Sequence, residues 1–171
     1  MKVVAFNGSS RKGGNTSQMI QLALAELEKE GIETELVELA GQKINGCLAC
    51  YKCVKNKDMK CVQTNDPIND YIVKLVEADG IILGSPTYFA DVSATMKAFI
   101  ERTGFVCRAN GDKLARKVGA GVVAVRRGGG YHVFSSLNAF FLIAQMVVVG
   151  SSYWNLGRGL DPGDVQKDEE G

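Results

Sequence analysis

The stretch KVVAFNGSSRKGGNTS, residues 2–17, decides how the rest of the chain is read. Val3 to Phe6 form a continuous apolar run, the pattern of a strand covered on both faces of a parallel sheet. Asn7-Gly8-Ser9-Ser10 stops that run with small polar residues. A helix restarts at about Asn15, where Asn15, Thr16 and Ser17 all carry side chains able to cap it. Such a loop converges backbone N–H groups on a helix N-terminus, which favours an anion by about 0.3–2 kcal/mol. Ser9, Thr16 and Ser17 add hydroxyls, Asn15 adds an amide, and Arg11 adds a planar guanidinium suited to phosphate. A Walker A loop needs Gly-Lys-Ser/Thr where this chain has Gly13-Gly14-Asn15, and the G-x-G-x-x-G spacing is also absent. The pattern left is a hydroxyl-rich cradle for a terminal phosphate monoester, weighed against a plain Gly/Ser turn between strand and helix.

Outward from that turn the chain alternates. Met19 to Leu27 carry a helical apolar face, and Gly31 is placed to end it. Ile32–Leu39 alternates as a second strand. Gly41–Asn65 is a long connection holding four of the five cysteines, and long loops in compact domains tend to be functional. Asp66-Pro67 opens a helix through Glu77. Gly80–Leu83 reads as a third strand ending in the loop Gly84-Ser-Pro86-Thr87-Tyr88-Phe89. A third helix is expected from about Val92 to Arg102 and a fourth strand over Val118–Val125. That strand ends at Arg126-Arg127-Gly128-Gly129-Gly130. A fourth helix then covers His132–Gln145, and Met146–Val149 is the fifth strand. The order predicts one α/β domain over 1–171, with a doubly wound five-stranded parallel sheet in the flavodoxin-like order 2-1-3-4-5. A cysteine-rich insertion at 41–65 follows strand 2. In this topology a ligand binds outside the carboxyl ends of strands 1 and 3. Asp161 to Asp164 and Asp168-Glu169-Glu170 read as the approach and first turn of an incomplete C-terminal helix.

A formal net charge of +1, with no basic run interleaved with aromatics, argues against a nucleic-acid partner. The longest apolar stretch, Ala139–Val149, is broken by Gln145 and too short to span a bilayer. A strand starting directly after Met1-Lys2 leaves no room for a secretory signal, so a cytoplasmic protein is expected. Cysteines there are metal ligands or redox groups more often than disulfides.

Cys47-Leu-Ala-Cys50-Tyr-Lys-Cys53 is followed seven residues later by Cys61. Three thiols at two-residue spacing converge on one cubic cluster and a fourth closes it, as in the compact runs of bacterial ferredoxins. A structural zinc site, which prefers two separated pairs, is a second reading. A thiol pair cycling through a disulfide is a third, and buried inert cysteines a fourth, disfavoured by the wet, charged residues around them. Cys107 stands apart and reads as a structural thiol.

Taken together, GSSRKGGNTS, the C-x2-C-x2-C-x7-C loop, GSPTY before a helix ending FIERTG, and RRGGG before FFLIAQMVVVGSSYW resemble the iron-sulfur flavoproteins. These are relatives of the NADPH-dependent FMN reductases on a flavodoxin-like fold, and the resemblance spans essentially the whole chain. It implies one FMN and one 4Fe-4S cluster per subunit, and assembly as a homodimer or homotetramer. It also implies electron transfer between a one-electron carrier such as ferredoxin and a downstream acceptor. Ser9, Arg11, Asn15, Thr16 and Ser17 are then expected on the FMN phosphate, and Pro86, Thr87, Tyr88 and Phe89 along the isoalloxazine. Arg126, Gly128 and Gly129 form the far wall, and Cys47, Cys50, Cys53 and Cys61 hold the cluster. Tyr153 and Trp154 cover the flavin or seal a subunit interface. Such chemistry needs no acid–base dyad. Lys52, Lys55, Lys57 and Lys60 make the cysteine loop basic, which suits an acidic ferredoxin-like donor or is simply a solvated face. Two other functions stay open: an NAD(P)H-dependent FMN or quinone reductase without an essential cluster, and a flavin-bearing thiol or iron sensor.

Overall fold

The computed structural model describes residues 1–169. Four parallel strands, β1 (Lys2–Asn7), β2 (Glu33–Glu38), β3 (Gly80–Pro86) and β4 (Val118–Val125), lie in the order β2-β1-β3-β4. The fifth place beside β4 is shared. β5 (Val147–Val148) pairs with Val118 and Gly119, while β6 (Leu156–Arg158) pairs with Val123 to Val125. The order 2-1-3-4-5 is therefore as expected, but the last strand is shorter than Met146–Val149 and resumes after a detour.

The detour has a physical cause. Asn155 donates its Nδ2–H to the Gly121 carbonyl at 3.2 Å and its own carbonyl accepts from Val123 N at 3.0 Å. These bonds satisfy part of the β4 edge that a continuous strand would have covered. The rings of Tyr153 and Trp154 meanwhile pack at a tilt, centroids 5.2 Å apart, and Tyr131 packs on Trp154 at 4.6 Å.

Strand alternation sorts the core into two layers. Val3, Ala5, Ile82 and Val122 face α1 (Asn15–Lys29), packing on Ile20 and Leu24. Val4, Phe6, Ile81, Leu83 and Val123 face α3 (Ile68–Glu77), α4 (Ala94–Ala109) and α5 (Gly130–Ile143). Phe6 and Phe99 anchor that layer with ring centroids 4.6 Å apart. A short helix α2 (Lys52–Asn56) lies inside the cysteine loop. A single 3-10 turn, Asp164–Lys167, stands where a closing helix was expected and buries Val165. Glu170, read above as part of that helix, lies outside the described residues.

Helix α4 runs seven residues past the expected end at Arg102. At Gly104 a Cβ would sit 3.3 Å from the Phe140 ring of α5. The glycine serves a close helix–helix approach, and the helix ends at Asn110-Gly111, where Gly111 takes φ +93°. No helix among the described residues is long and apolar enough to cross a membrane.

Candidate functional site

The loop expected to cradle a phosphate follows the carboxyl end of β1. Gly8 N donates to the Gly84 carbonyl at 2.8 Å, which ties the first loop to the β3 loop. Ser9 is buried. Its N–H donates to Asn7 Oδ1 at 3.0 Å and its Oγ accepts from Arg11 N at 3.1 Å. The helix that follows is capped by Gly14 and receives no side-chain cap. The three candidate capping side chains are drawn elsewhere. Asn15 Oδ1 accepts from Gly163 N at 2.9 Å, the buried Ser17 Oγ donates to Glu38 Oε1 at 2.8 Å, and the buried Thr16 packs beside Gly84. Gln18 N is the first to bond back, to Gly14 O at 3.0 Å. The N–H groups of Asn15, Thr16 and Ser17 thus have no helical carbonyl to meet. An uncapped helix N-terminus beside buried hydroxyls suits an anion. Arg11 lies exposed over this mouth, its guanidinium donating to the Leu160 carbonyl at 2.9 Å.

Beside the cradle, Pro86 ends β3 and Thr87 N donates to the Ala124 carbonyl at 2.8 Å. Thr87 Oγ1 is buried without a hydrogen-bond partner among the described residues. A buried polar atom left unpaired costs about 1–3 kcal/mol, so it fits a ligand that supplies the partner. Tyr88 and Asp91 close a tight turn by reciprocal backbone bonds of 3.0 and 3.2 Å. Its two central residues, Phe89 and Ala90, both sit in the left-handed region at φ +49° and +69°. That conformation costs about 1–2 kcal/mol per residue, and the result is a Phe89 side chain held wholly in solvent. Gly129 meets this turn, since a Cβ there would lie 3.2 Å from Ala90 Cα. Arg126, Gly128 and Gly129 are all exposed along the same edge. The structure therefore brings the first loop, the 86–91 turn and the 126–129 loop together, and the hydroxyl, amide and apolar groups present fit a flavin mononucleotide.

Gly8 sets the geometry of the cradle. A Cβ on it would lie 2.7 Å from Met96 Cβ, on the stem of a side chain rather than its mobile end. Gly8→Ala is expected to destabilise the fold by about 1–3 kcal/mol through overpacking, read as a lowered urea midpoint.

The four loop cysteines line one small cavity of about 30 Å³, together with Leu48, Tyr51, Arg102 and Phe105. Among the described residues no group of three or more His, Cys, Asp or Glu side chains is arranged to hold a metal ion. The donor set nevertheless fits a cluster in kind: four thiols, two of them already accepting N–H donors. Ala49 N donates to Cys47 Sγ at 3.4 Å and Arg102 Nε donates to Cys61 Sγ at 3.3 Å. Ala49 and Tyr51 both take positive φ, which wraps the backbone around the C-x2-C-x2-C run. Burial pushes the Cys53 thiol above its ordinary range. Cys107 lies apart in the core, pushed up to about 12 by burial, which makes it an inert structural thiol.

Sequence reasoning passed over the side chains that hold this loop in place. Glu101 Oε2 accepts from Cys47 N at 3.2 Å, and Asn110 Oδ1 accepts from Met59 N at 3.1 Å. On α3, Asn69 brackets Cys61, accepting from its N–H at 2.8 Å and donating to its carbonyl at 3.0 Å. Arg102 is buried and ion-paired with the equally buried Asp66. A signal for it existed: Arg102 occupies a core position of α4, three residues after Phe99 and four before Val106, where a lone charge demands a partner.

The family model for NADPH-dependent FMN reductase matches residues 1–161. An iron-sulfur flavoprotein of Methanocaldococcus jannaschii is 39% identical, with 100% of this chain and 90% of that protein covered. The chain belongs to the iron-sulfur flavoproteins. Within the FMN reductase family it is a flavin-dependent oxidoreductase. An iron-sulfur flavoprotein of Methanosarcina thermophila is 32% identical over 89% of this chain and 78% of its own. Among solved structures, RosB with a bound 8-demethyl-8-formylriboflavin-5'-phosphate intermediate superposes with a TM-score of 0.77 at 22% identity. That match covers 99% of this chain and 71% of RosB. An NAD(P)H:quinone oxidoreductase from Methanothermobacter marburgensis reaches 0.70 at 12% identity, over 97% and 88%. These two likenesses speak for the flavodoxin-like fold.

Proposed function

We propose that this flavoprotein binds FMN and a 4Fe-4S cluster, and moves electrons between a one-electron carrier such as ferredoxin and a downstream acceptor. The observation that carries the reading is helix α4, which touches both candidate sites. At its start the buried Ser93 donates its Oγ–H to the Gly8 carbonyl at 2.6 Å and takes Ser85 Oγ on its own N–H at 3.0 Å. Nine residues on, Arg102 reaches the cysteine loop, about 14 Å along the helix axis. FMN, when bound, accepts electrons singly or in pairs and a cubic cluster carries one at a time, which suits exchange between one- and two-electron partners.

The residues divide the work. Ser9, Arg11, Asn15, Thr16 and Ser17, with the open N–H groups of the helix start, would hold the phosphate. Pro86, Thr87, Tyr88 and Phe89 would line the ring, Thr87 supplying a hydroxyl, and Arg126, Gly128 and Gly129 would close the far side. Cys47, Cys50, Cys53 and Cys61 would ligate iron. An apolar groove of about 480 Å³ between α4 and α5, flanked by the exposed Phe105 and Ile143, supports assembly into a homodimer or homotetramer.

An absorption spectrum with iron and acid-labile sulfide assays on protein prepared without oxygen tests the reading. Flavin bands over a broad shoulder, with about four irons per chain, are the expected result. Flavin with no iron, or with zinc, sinks it. In that event the second reading, an NAD(P)H-dependent FMN or quinone reductase, takes its place. It is favoured by the spread of the thiols, since among the described residues no three His, Cys, Asp or Glu side chains converge as metal ligands, and steady NAD(P)H oxidation with free FMN or quinone reports it.

Lys52, Lys55, Lys57 and Lys60 are all exposed around the cysteine cavity. Steering of an acidic donor by this patch predicts a second-order reduction rate that falls as salt rises from low to physiological ionic strength. Stopped-flow reduction by a ferredoxin measures it, and a flat salt dependence rejects the steering.

A further inference from the structure

Arg102 closes the cysteine loop at its stem. Nε donates to Cys61 Sγ at 3.3 Å, one terminal nitrogen bonds Asp66 and the Asn45 carbonyl, the latter at 3.4 Å, and the other bonds the Gln63 carbonyl at 2.9 Å. Asn45 precedes the C-x2-C-x2-C run, and Cys61 and Gln63 follow it, so a single rigid fork joins the two strands of chain entering and leaving the loop. Its charge is balanced by Asp66, whose other oxygen accepts from Ile68 N at 3.2 Å at the start of α3. Arg102 itself is 1% exposed. Such a fork brings Cys61, remote in sequence from the other three thiols, to their cavity, and it aims an N–H at the Cys61 sulfur.

We propose that Arg102 is a positioning residue for the metal site: its guanidinium fixes the stem of the cysteine loop and hydrogen-bonds the Cys61 sulfur, so presetting the fourth ligand and tuning its donor strength. The inference rests on the cluster reading given above. Lysine cannot replace it, because an ammonium on a flexible stem keeps the charge opposite Asp66 but cannot span Asn45, Cys61 and Gln63 together.

Arg102→Lys is therefore the informative variant, since it leaves no unpaired carboxylate to unfold the protein. In iron-free protein, hydrogen exchange at residues 44–48 and 60–64 is expected to quicken about tenfold or more, while peptides from β1 and α1 exchange as in the wild type. In loaded protein, iron loss to a chelator is expected to quicken, as removal of a group that orients a metal ligand costs about 10- to 100-fold in metal affinity. The reduction potential of the cluster moves to more negative values as a donor to sulfur is lost. A Lys variant that keeps both its loop exchange and its iron at wild-type rates overturns the proposal. Wild-type protein that takes up no iron overturns the cluster reading instead, and the exchange of the loop stem then decides alone whether Arg102 positions it.

Discussion

Arg102→Met is expected to lower the unfolding free energy by about 3–5 kcal/mol, the cost of stripping one partner from a buried ion pair. The side chains of Arg102 and Asp66 are 0% and 1% exposed. Methionine fills most of the volume, so the loss is electrostatic rather than a cavity. Burial works against the guanidinium, but its bonds to Asp66 and Cys61 more than offset this and leave it more firmly protonated than a free arginine. Once it is gone, the Asp66 carboxylate faces the core uncompensated, and the Asn45 and Gln63 carbonyls and the Cys61 sulfur lose their donor. Adding Asp66→Asn removes the stranded charge while keeping an oxygen for Ile68 N. The double variant is therefore expected to regain about half of the loss or more. Urea unfolding of the iron-free proteins measures both. Additive losses in the two single variants, with no recovery in the double, would show that the pair is not coupled.

The same arginine shows where the sequence was legible and where it was not. Strands β1, β3 and β4 are largely apolar runs, because helices cover both faces, whereas the edge strand β2 alternates. Their existence follows from period and punctuation, and their order from the rules of a doubly wound sheet. The last strand reads in the right place, around Val147 and Val148, but too long, and the reading misses its second segment at Leu156–Arg158. The competing partner is the side chain of Asn155, which occupies the β4 edge from outside any apolar run. The end of α4 lies seven residues beyond the expected Arg102, with Gly104 serving a helix–helix contact with Phe140 that only the fold reveals. At the candidate site, the cysteine spacing and the hydroxyl-rich loop stood out because each is a local pattern. Glu101, Arg102, Asn69 and Asn110 did not, because they act on residues 8 to 57 positions away. Their chemistry appears only once α3 and α4 are laid against the loop. Asn15 and Ser17 were legible as polar groups at a helix start, but their side-chain partners, Gly163 and Glu38, were set by tertiary contacts.

Cys50→Ser and Cys107→Ser are expected to have opposite effects. Cys50 is exposed. Serine there should change stability by no more than about 0.5 kcal/mol, as surface substitutions do. On the proposed reading, however, it replaces a soft thiolate with a hydroxyl that binds iron weakly at neutral pH, so iron and sulfide fall to background. FMN binding, which draws on the β1 and β3 loops, should persist. Cys107 is buried on the core face of α4, its thiol pushed up to about 12 by burial. Serine there places a hydroxyl in an apolar site at a cost of about 1–3 kcal/mol and leaves the iron content unchanged. The two variants thus separate ligand loss from fold loss by iron assay and urea midpoint on the same preparations. If Cys50→Ser retains full iron, the C-x2-C-x2-C run is not the ligand set. If Cys107→Ser loses iron while still folded, the fifth cysteine belongs to the site and its burial has been misread.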